Sequence, residues 1–212
     1  MRWFLKIGAV VLTALFLYYL WIFGHIVYWR HANPSSSSFM DAQLSRLQED
    51  DPDAELRHRW VAYDRISGNL KRAVIAAEDA KFVDHEGFDW EGIEVAFEKN
   101  LKQGRIVAGG STISQQLAKN LFLSSKKTPW RKIDEAFITV MLEAVLDKRR
   151  ILEIYLNVIE WGDGVFGAEA AARHYYRTSA ARLSSGQAAK LAAMVPNPRY
   201  YDTHRNAQGL AR

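Results

Sequence analysis

The feature that most constrains this chain is an uncharged apolar stretch near its start. From Ile7 to Trp29 the residues are apolar or aromatic apart from Thr13 and His25, and none is formally charged. An α-helix rises about 1.5 Å per residue, so a helix over this stretch can cross a hydrocarbon core of roughly 30 Å. Because the stretch has no polar face, it does not fit a core helix of a globular domain. It predicts one N-terminal transmembrane helix.

The charges around the apolar stretch predict its orientation. Arg2 and Lys6 precede it and Arg30 follows it, a small excess that places the N-terminus in the cytoplasm. The alternative is a cleaved signal peptide. The stretch is longer than a typical signal core, however, and no A-x-A cleavage site follows it. We therefore expect a single-pass protein of the cytoplasmic (inner) membrane, with the rest of the chain periplasmic or extracytoplasmic.

The remaining sequence divides by composition. We expect an anchor over residues 1–30, a juxtamembrane linker rich in Ser and acidic residues over 31–55, and one folded domain over 56–212. A hydrophobic content of 49% excludes a disordered chain. The net charge is +4, and the basic residues adjoin acids without interleaved aromatics, so no nucleic-acid role is indicated. No cysteine is present, which excludes disulfides and thiolate metal sites.

The spacing of apolar residues in the domain predicts a mainly α fold. One helix is expected behind Asn69 as N-cap, and another is expected to open with a capping box of Ser184 and Gln187 and to end before Pro196. A single strand is indicated by alternation of Val61, Tyr63 and Ile66.

Two neighbouring acids form the first candidate cluster. Glu78 and Asp79 come where the apolar helical pattern of Ala73, Val74 and Ala77 stops. A carboxylate at the negative end of a helix and beside a second acid is expected to have a raised pKa, which suits a general base. The alternative is a pair of solvated acids at a helix end.

A glycine pair followed by a polar helix forms the second cluster, from Gly109 to Asn120. Both glycines would let the backbone approach a ligand, and Ser111 or Thr112 would cap the helix. Helical spacing places Ser111, Gln115 and Lys119 on one solvent-facing stripe, opposite the apolar residues. That stripe suits a phosphate or pyrophosphate. An ordinary capped polar helix is the alternative.

The third cluster is basic, with one acid among the cations. Lys126 and Lys127 precede Arg131 and Lys132, and Glu135 follows on the inward side of the next helix. An inward glutamate near Arg and Lys is either a structural ion pair or a site residue. A fourth cluster, 151–157 with the glycines after it, is interpreted as mainly structural.

Together these clusters resemble the peptidoglycan glycosyltransferases with a lysozyme-like fold, over about Leu70 to Pro198. We expect the monofunctional biosynthetic form, because no penicillin-binding domain follows in this sequence. Some relatives carry Lys where Asp134 stands, which would leave less positive charge there. Five blocks carry the resemblance: Glu78 to Gly87, Gly109 to Asn120, Arg131 to Glu135, Ile151 to Asn157, and Gly164 to Tyr176.

The resemblance implies a role for each matching residue. Glu78 would be the general base and Glu135 the second essential acid. The reaction would polymerise lipid II on a growing lipid-linked glycan chain at the membrane. A divalent cation (Mg or Mn) at the donor pyrophosphate and cell-wall assembly proteins as partners are left open. The residues expected to bind substrate are Asp79, Phe82, His85, Gly87, Ser111, Thr112, Gln115, Gln116, Lys119, Asn120, Lys127, Arg131 and Lys132.

Two rival functions are considered. A lytic enzyme of similar fold would use Glu78 as an acid but gives no reason for the second block and its lysine. A catalytically silent scaffold would not need every expected site residue, yet all of them are present.

Overall fold

The computed structural model of the chain describes residues 2–105, 109–125, 128–207 and 210. Over this part of the chain the protein is mainly helical, which confirms the predicted fold class. The helices are α1 (Arg2–Tyr28), α2 (Ser38–Asp50), α3 (Gly68–Glu78), α4 (Trp90–Gln103), α5 (Ile113–Phe122), α6 (Pro129–Val145), α7 (Lys148–Val158), α8 (Ala168–Tyr176), α9 (Ser185–Met194) and α10 (Pro198–Thr203).

In the part of the chain that the structure describes, three short strands form one small sheet: β1 (Arg57–His58), β2 (Glu160–Gly162) and β3 (Val165–Phe166). Their order is β1-β3-β2; β1 runs parallel to β3, and β2 is antiparallel to it.

The strand predicted from Val61, Tyr63 and Ile66 is wrong. Residues Tyr63–Arg65 form a 3₁₀ turn instead. The buried side chain of Asn157 accepts from the backbone N–H of Val61 at 2.9 Å and donates to its carbonyl at 2.9 Å. Because one amide side chain satisfies both backbone groups, this segment needs no neighbouring strand.

Helix α1 is long and apolar enough to cross a membrane by length and composition. It covers the predicted apolar stretch except for Trp29, and it begins earlier, at Arg2. Most of its side chains are exposed, whereas Ile22 and Ile26 are fully buried against the domain. The C-terminal half of the predicted anchor therefore packs on the rest of the protein.

The segment predicted as a linker contains α2. Ser37 caps this helix by accepting from the backbone N–H of Met40 at 3.2 Å. Arg150 on α7 donates to the carbonyl of Trp29 and to Oδ1 of Asn33, each at 2.9 Å. These contacts hold the segment against the domain, and the boundaries at 30 and 55 stay a prediction.

Helix caps explain where two helices of the domain begin. Ser67, not Asn69, caps α3 by accepting from the N–H of Leu70 at 3.1 Å, so the predicted cap is wrong. The capping box of Ser184 and Gln187 is confirmed, and α9 ends at Met194, before Pro196.

The core lies where α5, α6 and α7 meet, beside the packed pair α3 and α9. Its largest fully buried side chains are Trp161, Tyr155, Phe82 and Phe166. Gly167, with φ of +82°, is the N-cap of α8, and a Cβ there would lie 2.8 Å from the carbonyl oxygen of Asn157. Only glycine allows this close approach without strain.

Candidate active site

Glu78 is the last residue of α3, as the sequence predicted. Its carboxylate is half-buried, and Oε2 accepts from Nε2 of Gln116 at 2.8 Å. Burial raises the pKa of Glu78 and the nearby charge of Asp79 adds to this, whereas the Gln116 hydrogen bond and the charge of Lys119 oppose it. The predicted direction is confirmed. Its main cause is desolvation by the fold, not the helix end.

Asp79 is buried and joins three parts of the site. Its oxygens lie 2.9 and 3.1 Å from Nε2 of His85, and Oδ2 also accepts from the backbone N–H of Ile113 at 3.0 Å. Nδ1 of His85 accepts from the N–H of Gly87 at 3.1 Å, so Nε2 carries the ring proton and donates to Asp79. Asp79 therefore positions the loop after α3 and the start of α5.

The predicted substrate contacts of Phe82 and Gly87 need correction. Phe82 is 1% exposed and belongs to the core. Gly87 is buried with φ of +92°, and a Cβ there would lie 2.8 Å from Cγ2 of Thr139. Its carbonyl accepts from the hydroxyl of Thr112 at 2.7 Å. Both residues shape the loop, and neither presents a side chain to a ligand.

The start of α5 is fixed by a capping box. The hydroxyl of Thr112 accepts from the N–H of Gln115 at 3.2 Å, and Oε1 of Gln115 accepts from the N–H of Thr112 at 3.0 Å. Gln115 is 3% exposed. The expected phosphate contact of Gln115, and the solvent-facing stripe through it, are therefore corrected, because the capping box turns this amide inward. Ser111, just before the cap, is exposed.

The next turns of α5 carry two polar side chains toward the site and one away from it. Gln116 and Lys119 are half-buried, so the expectation of a solvent-facing lysine is wrong. Burial lowers the pKa of Lys119, and the negative charge of Glu135 opposes this most strongly. Asn120 is buried, and its amide donates to the carbonyl of Gln116 at 2.7 Å. This hydrogen bond ties Asn120 to the preceding turn of α5, and its contact with substrate stays a prediction.

The two glycines before α5 differ in role. A Cβ on Gly110 would lie 3.0 Å from Cα of Ile93 on α4, whereas one on Gly109 would meet no described atom within 4 Å. The missing side chain at Gly110 therefore allows close packing of α4, and the approach of both glycine backbones to a ligand stays a prediction. A cleft of about 210 Å³ lies here, lined by residues that include Glu78, Asp89, Gly109, Gly110 and Ser111.

A cluster of cations surrounds Glu135 on α6. Glu135 is 3% exposed; Oε2 accepts from Nη1 of Arg131 at 3.1 Å, and Oε1 accepts from Nζ of Lys132. Lys132 also donates to the hydroxyl of Ser111 at 3.4 Å. The ion pairs considered from the sequence are present. Lys127, expected to bind phosphate, and its neighbour Lys126 lie outside the described residues.

One donor in this cluster has no partner among the described residues. Nε of Arg131 is buried and makes no hydrogen bond to any atom of the described residues. Within the same part of the chain, no group of three or more His, Asp or Glu side chains could hold a metal ion. Since both oxygens of Glu135 are already paired with cations, the described residues do not form a protein cage for a divalent ion.

Two contacts near the site were not foreseen. The hydroxyl of Tyr155, interpreted from the sequence as a core residue, donates to Oε1 of Gln116 at 2.9 Å. The hydroxyl of Tyr19 on α1 donates to Oδ1 of Asp134 at 2.8 Å. Asp134 thus faces α1, and its hydrogen-bond partner is a side chain of that helix. In the sequence, Tyr155 is the one residue with a hydroxyl in an otherwise aliphatic helical stripe, and this was the only indication that it could form a polar contact.

Comparison with known proteins identifies the family of this chain. The transglycosylase family model matches residues 43–212. The biosynthetic peptidoglycan transglycosylase of Chromobacterium violaceum is 78% identical over 207 residues, covering 98% of this chain and 91% of the relative. That of Laribacter hongkongensis is 73% identical over 212 residues, covering 100% and 93%. The chain therefore belongs to the transglycosylase family, whose domain has the lysozyme-like fold, and it is a peptidoglycan glycosyltransferase.

Proposed function

We propose that the enzyme polymerises lipid II into β-1,4-linked glycan strands and releases undecaprenyl pyrophosphate in one inverting displacement. The observation that carries this proposal is a half-buried carboxylate, Glu78, whose charge interacts with that of Lys119. Lys119 in turn lies near the cations Arg131 and Lys132, which pair with Glu135. The carboxylate of Glu78 suits a general base, and the cations suit a leaving pyrophosphate.

Glu78 accepts the proton in the proposed step. The C4 hydroxyl of the acceptor lipid II gives its proton to Glu78 as its oxygen attacks C1 of the terminal MurNAc of the growing chain. The bond from C1 to the pyrophosphate oxygen breaks, and its electron pair leaves with the pyrophosphate. Attack opposite an α-linked leaving group gives the β linkage. A raised pKa strengthens Glu78 as a base once it is ionised.

The charges of the site fit this leaving group. Pyrophosphate is already a good leaving group, so it needs cations near its developing charge and no proton from a carboxylic acid. A glycoside hydrolase instead needs two cooperating carboxylates. Here the second acid, Glu135, is paired with two cations and is not free to act in that way. We propose that Ser111, Lys119, Arg131 and Lys132 hold the donor phosphates and that Glu135 orients these cations.

An apolar surface adjoins the cations and supports a lipid-linked substrate. An open groove of about 590 Å³ between Phe88 and α6 is lined by Lys132 and by apolar side chains. Lys132 therefore lies at the junction of this groove and the Glu135 cluster. We propose that the polyprenyl chain enters along the groove. Trp90, 72% exposed and stacked on Phe88, extends the apolar surface that would dip into the membrane.

The proposed function is tested with the purified full chain in detergent and labelled lipid II, with products resolved on gels. A ladder of glycan strands is expected. Matched reactions with EDTA and with added Mg²⁺ or Mn²⁺ measure any divalent-ion requirement. A parallel incubation with purified sacculi tests the lytic rival. Release of soluble muropeptides without consumption of lipid II would contradict the proposal.

We also propose that α1 spans the inner membrane once, with the N-terminus in the cytoplasm and the catalytic domain periplasmic. Arg2 and Lys6 at the start of the helix support this orientation. A reporter fused after the last residue should be active only outside the cytoplasm, and the fusion should stay in the membrane fraction. Release of a shortened soluble form would contradict the anchor.

A further inference from the structure

Three side chains from three helices form one hydrogen-bonded chain that ends at Glu78. The hydroxyl of Tyr155 on α7 donates to Oε1 of Gln116 on α5 at 2.9 Å. Nε2 of the same amide donates to Oε2 of Glu78 on α3 at 2.8 Å. Tyr155 is fully buried in the core, whereas Gln116 and Glu78 are half-buried. The core is thus connected to the carboxylate by a single amide.

The amide of Gln116 can be oriented in two ways, and only one fits an ionised Glu78. An ionised carboxylate only accepts hydrogen bonds, so it needs the NH₂ group of the amide. If the amide were reversed, its oxygen would face the carboxylate and the two acceptors would repel each other. The reversed arrangement fits only a protonated Glu78, which could donate to that oxygen.

The partner at the far end of the amide decides between these orientations. Burial raises the pKa of Tyr155, and the negative charge of Glu78 adds to this effect, so its hydroxyl keeps its proton and can donate. A donor at that position needs the amide oxygen as its acceptor. With the amide reversed, the buried hydroxyl proton would lose the acceptor that it has in the structure, which is unfavourable.

We propose that Tyr155 is a positioning residue that holds the Gln116 amide with its nitrogen toward Glu78 and so favours the ionised form needed for proton acceptance. The inference rests on the proposed function for its catalytic meaning. Among the described residues, the hydroxyl of Tyr155 is hydrogen-bonded to Gln116 and not to Glu78, so it acts through Gln116.

The first test is the pH dependence of lipid II polymerisation by Tyr155→Phe, which removes one hydroxyl and keeps the ring. We expect kcat near neutral pH to fall about three- to tenfold, as for loss of one hydrogen bond. The acid limb of the rate profile should move to higher pH, while KM changes little. Tyr175→Phe is the matched control. Tyr175 is half-buried, and its hydroxyl donates to the carbonyl of Trp161 on β2 instead of to a residue of the site. An unmoved acid limb in Tyr155→Phe, or an equal movement in the control, would overturn the inference.

A second test does not depend on turnover. The Glu78 carboxyl is titrated by ¹³C NMR in the full chain in micelles, and its signal is assigned by its loss in Glu78→Gln. The midpoint should be higher in Tyr155→Phe than in the wild type and unchanged in Tyr175→Phe. An equal midpoint would overturn the inference, even if lipid II is consumed. If the wild type does not consume lipid II but the midpoint is still higher in Tyr155→Phe than in the wild type, the proposed function is contradicted and the positioning role is supported.

A third variant covers the case in which Tyr155→Phe folds poorly. Gln116→Leu removes the amide at the half-buried position and should raise the Glu78 midpoint as well. Adding Tyr155→Phe to Gln116→Leu should give no further shift, because the path between the two ends is already broken. An additive shift would show that Tyr155 acts on Glu78 by another path.

Discussion

The side-chain oxygen Oδ2 of Asp79 accepts the backbone N–H of Ile113 at 3.0 Å and so joins the end of α3 to the first turn of α5. Glu78 precedes this junction directly, and Gln116 lies one turn into α5. The distance between the carboxylate of Glu78 and its amide partner is therefore set by a neighbouring acid that does not carry out the proposed chemistry.

Asp79→Asn should destabilise the protein. An asparagine oxygen in place of Oδ2 can still accept from Ile113 and from His85, but the NH₂ group in place of Oδ1 would face the Nε2–H of His85. The closer of the two acceptors of this half-buried donor would then be lost. We expect the free energy of unfolding to fall by about 1–3 kcal/mol, measured by denaturation in detergent. Asp84→Asn, at an exposed acid of the same loop, is the control. Equal stability of Asp79→Asn and the control would contradict the positioning role.

Glu78→Gln should remove activity without harming the fold. The amide cannot accept a proton near neutral pH, so turnover should fall about 100- to 10,000-fold, the range for a positioned acid–base group. Donor binding should survive, because the phosphates are assigned to the cations. If lipid II is still polymerised within about tenfold of the wild-type rate, another group takes the proton, and Glu135 is the next candidate.

The pH dependence follows from the raised pKa of Glu78. The wild-type rate should rise with pH through one apparent pKa above that of an ordinary glutamate, because only the ionised form accepts a proton. Stability should behave in the opposite sense. As pH rises from the unfolded-state pKa through the folded-state pKa, ionisation of this half-buried group costs stability. Glu78→Gln should therefore be as stable as wild type at acid pH and at least as stable at neutral pH.

Lys119→Ala should lower activity about 10- to 100-fold, as expected when one charged hydrogen-bond donor to a phosphate is lost. The charge of Lys119 also lowers the pKa of Glu78, so the acid limb of the rate profile should move to higher pH. Lys190→Ala, at an exposed position on α9, is the control. Activity within a few-fold of wild type, together with a lower melting temperature, would show that Lys119 is a structural residue.

Tyr19 and Asp134 should be coupled energetically, although they lie 115 residues apart and one belongs to the anchor helix. Tyr19→Phe should lower the melting temperature in micelles by a few degrees, the effect of about 1.5–3 kcal/mol for a hydrogen bond to a charged group. Tyr28→Phe, which changes an exposed ring of the same helix, should leave the melting temperature unchanged. A double-mutant cycle with Asp134→Ala measures the coupling, and additive effects would contradict it.

The sequence by itself determined the features that depend on neighbours along the chain. The apolar stretch specified a membrane-competent helix, Ser184 and Gln187 specified the start of α9, and Glu78 was placed at the end of its helix. Each of these depends on residues within a few positions, so periodicity and capping rules suffice. The order of the five blocks was enough to indicate the family.

Only the tertiary structure decided which polar side chains face the cleft and which hold the scaffold. Phe82, Gln115 and Asn120 share blocks with site residues, yet packing turned them inward. Lys119 became half-buried, and burial rather than the helix end raised the pKa of Glu78.

The contacts that join Tyr155 to Gln116 and Tyr19 to Asp134 bridge 39 and 115 residues of sequence. No local pattern encodes such contacts. They form only when separate helices pack at one distance and angle, and that packing is fixed by the core as a whole.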